Sequence, residues 1–160
     1  MHLYSRLIYR IKRKHMEKAI MKFNKINIDT VFNIIEKNCW EYGIQYHLMI
    51  KTPFVLEIIL IGRKQTKYLR FHKTYMVFKE DYIRFESVVK DADYSKAYYI
   101  TNGVFEGNIE KLNHQSLLWS TTSVKLISNV DFLIHQQWLK QPYNSVFKFK
   151  KLDFYRYLPD

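Results

Sequence analysis

The chain has 160 residues, 26 Lys and Arg against 15 Asp and Glu, and a formal net charge of +11. Hydrophobic residues make up 48% and aromatics 17%, with four Gly and three Pro, which excludes a long disordered chain, a collagen-like repeat and a linker-rich array. The one cysteine, Cys39, excludes an intramolecular disulfide framework and a Cys-rich metal site.

A chain of this length suits one domain, able to bury roughly two-thirds of the surface its unfolded form exposes. No apolar run approaches the roughly 18 residues of a membrane span, and the basic N-terminus lacks the apolar stretch of a secretory signal. The expected location is the cytoplasm. The charge is clustered. Residues 1–25 hold eight Lys and Arg against Glu17, a net +7; residues 51–73 hold six against Glu57, a net +5; residues 143–160 carry +2, and the remainder is −3. Clustered cations suit a polyanion, because neutralising phosphates releases counterions.

Residues 3–23 read as a basic amphipathic helix, with Leu3, Leu7, Ile8 and Ile11 at helical spacing and Arg6, Arg10, Lys12, Arg13 and Lys14 between them. Asp29 is the expected cap of a second helix carrying Val31, Ile34, Ile35, Cys39 and Tyr42 on one face and stopping at Gly43. Three strands are expected next: Ile44–Lys51, Val55–Ile61 and Lys67–Lys73. The middle one, VLEIILI, is apolar on both faces except at Glu57, as in a covered central strand. In the third, Tyr68, Arg70 and His72 point one way and Leu69, Phe71 and Lys73 the other. A helix over Glu80–Ala92, a strand Ala97–Thr101 closed by Asn102-Gly103, a helix from Glu106 to Gln115, a strand Val124–Ile127 and a helix Asp131–Lys140 follow. The tail Ser145–Leu158 interleaves aromatic and basic residues, as a final edge strand or a surface for single-stranded nucleic acid would. The expected fold is α/β, a mixed central sheet flanked by helices. It divides into a basic N-terminal helical arm (1–28), an α/β domain (29–142) and a basic aromatic C-terminal tail packed on it (143–160).

The order of elements, with YYITNGVFEGNIEKL (98–112) and VKLISNVDFL (124–133), resembles the Mrr-like restriction endonuclease branch of the PD-(D/E)xK nuclease superfamily, over about residues 30–138. The resemblance implies a restriction-endonuclease-like core, DNA as partner and an Mg²⁺ or Mn²⁺ site built from an acid on the first core helix, an Asp in the second strand and Glu/Gln-x-Lys in the third. Those positions fall near Asn33, on Glu57 and on Arg70-Phe71-His72. No acid lies between Ile58 and Lys79, so a shift of register does not restore a two-acid site.

Glu57 is therefore either a residual metal ligand or one half of a structural ion pair, with Arg70 or His72 as partner; a carboxylate in such a strand needs one. His72 is the candidate general base, against the ordinary role of a packed strand histidine. Candidate nucleic-acid contacts are Arg10, Arg13 and Lys14 on the arm, Arg63, Lys64, Lys67, Arg70 and Lys73 around the second hairpin, and Lys148 and Lys150 in the tail. The arm has rival readings, as a membrane-surface helix or as a packing element. The expected function is nucleic-acid binding, DNA foremost, on a nuclease-like fold with lost catalysis and no cofactor. The alternatives are an active Mg²⁺- or Mn²⁺-dependent endonuclease with a migrated site using Glu57 and acids such as Glu80 or Asp81, and a module for an acidic protein. A homodimer is compatible with a small nuclease-like domain.

Overall fold

The computed structural model describes residues 3–118, 120–138 and 152–160. Its element order is α1 (Leu3–Ile11), α2 (Arg13–Asn24), α3 (Ile28–Tyr42), β1 (Gln45–Lys51), β2 (Val55–Ile61), β3 (Thr66–His72), β4 (Met76–Val77), α4 (Lys79–Lys90), β5 (Lys96–Thr101), β6 (Val104–Phe105), α5 (Ile109–Leu117), β7 (Ser123–Ile127) and α6 (Asn129–Trp138), then a 3-10 turn at Tyr155–Tyr157. The fold is mixed α/β, as expected. A five-stranded sheet runs β1-β2-β3-β5-β7. β1, β2 and β3 form an antiparallel meander, and β3, β5 and β7 are parallel. Short connections make the hairpins, while α4 and α5 supply the crossovers that parallel pairing requires.

The inner strands β2, β3 and β5 are covered on both faces, while the edge strand β1 is largely exposed. Leu56, Ile58, Leu60, Leu69, Phe71 and Ile100 point to one core with α2, α3 and α6. Tyr68, Ala97, Tyr99 and Val124 point to the other with Tyr82, Phe85 and Val89 of α4 and Ile109 of α5. This two-sided cover explains why VLEIILI does not alternate.

The N-terminal arm is two helices, not one, because Lys12 leaves helical geometry at φ −115° and ψ 32°. It is not detached from the sheet domain. Met16, Ala19 and Phe23 of α2 are buried in the first core, and Phe23 stacks on Phe132 of α6 with ring centroids 4.9 Å apart. The cap of α3 is Asn27, whose side chain accepts from the Thr30 amide at 2.7 Å, so the helix begins before Asp29. In the tail, Tyr155–Tyr157 form the 3-10 turn, with Phe154 and Tyr157 in the core; residues 145–151, where the expected edge strand begins, lie outside the described residues.

The Asn102-Gly103 turn joins two parts of the chain. Asn102 accepts from the Thr74 amide at 2.9 Å, and a Cβ on Gly103 would lie 2.1 Å from the Thr74 carbonyl oxygen. Only glycine lets the two backbones approach this closely. The contact aligns β6 with β4 in a two-residue parallel pair that no sequence pattern announces.

Candidate nucleic-acid interface

Glu57 and Arg70 are register partners across the β2–β3 ladder. Antiparallel pairing brings such side chains onto one face, here the α4 face. Arg70 Nη1 lies 3.2 Å from Glu57 Oε1, and the residues are 8% and 6% exposed. The guanidinium also lies 5.1 Å from the centroid of the Tyr99 ring on β5. Its Nε is buried without a hydrogen-bond partner among the described residues.

His72 continues this polar strip. Its Nδ1 and the Tyr99 hydroxyl are 2.9 Å apart in a hydrogen bond whose direction follows the imidazole tautomer. Burial pushes the His72 pKa down and Arg70 adds to the effect, while Asp81 of α4 opposes it. Burial raises the Tyr99 and Tyr68 hydroxyls, and the Glu57 carboxylate raises Tyr68 further. The strip is thus an internal charge pair with neutral aromatic hydroxyls around it.

Among the described residues, no group of three or more His, Cys, Asp or Glu side chains is placed to hold a metal ion. Glu57 faces Arg70, while Asn33, on α3, is exposed. Asp81 acts on both His72 and Tyr99, and Glu80 beside it is exposed at the start of α4. Cys39 is buried, and its thiol is pushed up to about 11, by burial first and Glu36 second, which leaves it inert at neutral pH.

The candidate contact residues separate into two groups. Arg10 on α1, Lys14 on α2, and Arg63 and Lys64 in the β2–β3 turn are exposed. Arg13 is exposed but bonded through Nε to Glu17 at 2.8 Å. Lys67 and Arg70 are buried, with Lys67 donating from Nζ to the Leu158 carbonyl at 2.8 Å. Lys73 is half-buried, and Lys148 and Lys150 lie outside the described residues. Sequence reading missed Lys96 and Lys125, which the fold gathers with Lys67 and with Arg156 of the basic tail. They are far apart in the chain: the β3–β5–β7 register brings Lys96 and Lys125 together, and the 3-10 turn brings Arg156 to the cleft that Lys125 borders.

No helix among the described residues is long and apolar enough to cross a membrane. No protein-family model matches the chain. No curated protein matches it. Among solved structures it is similar to the MspJI restriction endonuclease in complex with a 27-mer oligonucleotide, at 14% identity and a TM-score of 0.30. The match covers 79% of this chain and 28% of that one, so the chain spans under a third of that endonuclease.

Proposed function

We propose that this protein binds nucleic acid, DNA foremost, through its exposed basic surfaces, and that it does not cleave the strand it binds. The observation that carries this reading is the exposed cationic surface of α1 and α2. Arg6, Arg10, Lys14, Lys18 and Lys22 are all exposed there, and Glu17 is the one acid in residues 1–25. Such a density of cations matches a phosphate backbone. The choice of DNA rests on the resemblance to the Mrr-like nucleases. The absence of cleavage rests on Arg70, whose guanidinium sits on the carboxylate that the resemblance gives to the metal ligand.

Native gels of labelled duplex and single-stranded DNA, with and without Mn²⁺, test both halves. A shifted, intact band is expected, weakening steeply with salt. Mn²⁺-dependent fragments that disappear in Glu57→Ala would overturn the non-cleaving half. No shift at low salt would overturn nucleic acid as partner and leave an acidic protein in its place.

A further inference from the structure

Three lysines from three strands meet at one end of the sheet. Lys67 lies near the start of β3 and Lys96 opens β5, and parallel register sets them side by side. Two residues on, Tyr98 of β5 is level with Lys125 of β7, and the Lys96 ammonium lies 5.9 Å from the Tyr98 ring centroid. Arg156 in the 3-10 turn completes the group, close enough to act on Lys125. Lys67 and Lys125 bind their protons less tightly than usual, through burial first and then through the neighbouring cations.

Like charges set opposite one another across strands are destabilising. Asp160 offsets the repulsion at Lys67. Lys67, Lys96, Lys125 and Arg156 form no ion pair among the described residues. At Lys125 the neighbouring charges that lower its proton affinity are the cations Lys96 and Arg156. The residues outside the described set contain no Asp or Glu. The end of the chain is fixed at this place, because Pro159 and Asp160 lie against Gly62 in the β2–β3 turn that carries Arg63 and Lys64. Lys125 and Arg156 also border a cleft of about 490 Å³ along β7, whose acids Glu110 and Asp131 have interactions of their own.

We propose that Lys96, Lys125 and Arg156, with Lys67 behind them, form a phosphate-binding site that seats backbone phosphates of the bound nucleic acid. The site rests on the nucleic-acid reading for its ligand and on the strand register for its existence. A free oligophosphate offers the same chemistry, so the test separates the two sources.

The full chain and the variant K96Q/K125Q are compared in two measurements. Both replaced side chains reach solvent, and their loss relieves repulsion, so the variant folds. Thermal unfolding with added inorganic tripolyphosphate should raise the midpoint of the wild type and leave the variant unmoved, since a ligand of the native state stabilises it. Anisotropy of labelled duplex across a salt series should show the log–log salt slope falling by about 2 in the variant. Equal tripolyphosphate shifts in both proteins would overturn the site. Duplex binding with an unchanged slope would overturn its role in nucleic-acid binding and leave the α1–α2 surface as the contact. A lysine-dependent tripolyphosphate shift without any duplex binding would overturn the nucleic-acid reading and keep the site, with free oligophosphate as its ligand.

Discussion

Arg70 Nη1 stands 3.2 Å from Glu57 Oε1 inside the sheet domain, each on the strand that the other pairs with. Removing one partner of such a pair leaves the other charge largely buried and unpaired. Arg70→Met is expected to lower the unfolding free energy by about 3–5 kcal/mol, while E57L/R70M should recover most or all of it. Urea unfolding followed by circular dichroism measures both. A single variant within about 1 kcal/mol of wild type would show a solvated, weak pair.

His72 gives a pH dependence of known sign. Its folded pKa is depressed, so on acidification the unfolded chain takes up the proton first, near the ordinary value of about 6.5. Where the unfolded state binds more protons, stability rises with pH. The stabilisation is fully present above that value and is lost as pH falls below it. The melting temperature of His72→Gln should decline less between neutral and mildly acidic pH than that of the wild type. Parallel curves would mean that His72 titrates normally in the fold.

Phe23 tests whether the basic arm is separable from the domain. Its ring stacks on Phe132 and meets Phe71 edge-on at 6.0 Å, fully buried. Phe23→Ala should cost about 3–5 kcal/mol. A loss below about 1 kcal/mol would show that α2 detaches without harm. The same burial means that arm deletions confound binding with folding, so charge-neutralising variants such as R10Q/K14Q are the sound probe of the arm.

Gly103→Ala should be destabilising by about 1–3 kcal/mol or more, because the added methyl group meets the Thr74 and Tyr75 backbone. Hydrogen exchange should report the damage first at β4 and β6. Unchanged protection there would refute the close packing.

Much of the sheet was legible because its residues repeat a pattern. The apolar run around Glu57 and the turn residues at 62–66 located two strands, and a carboxylate in that run called for a partner, either a metal ion or a side chain of the next strand. The basic hairpin was less legible. Alternation puts Lys67 on the face of Leu69 and Phe71, toward the core, and its burial is tolerated because the Leu158 carbonyl comes to it from the far end of the chain. Strand periodicity carries no trace of that contact. Lys96 and Lys125 each look like isolated strand charges until the crossovers set them together, and β4 and β6 are too short for any periodicity to show.

β3 closes the local hairpins and also opens the parallel half of the sheet. Its pairing with β2 spans only residues 62–65, whereas its pairing with β5 must wait for α4 to fold back. Short loops close early and long ones late. The late step is also the one that drives Lys67 and Lys96 together, so electrostatic work is concentrated there. Ionic strength should therefore act as a throttle on the rate of folding, with stopped-flow refolding faster in moderate salt than in none.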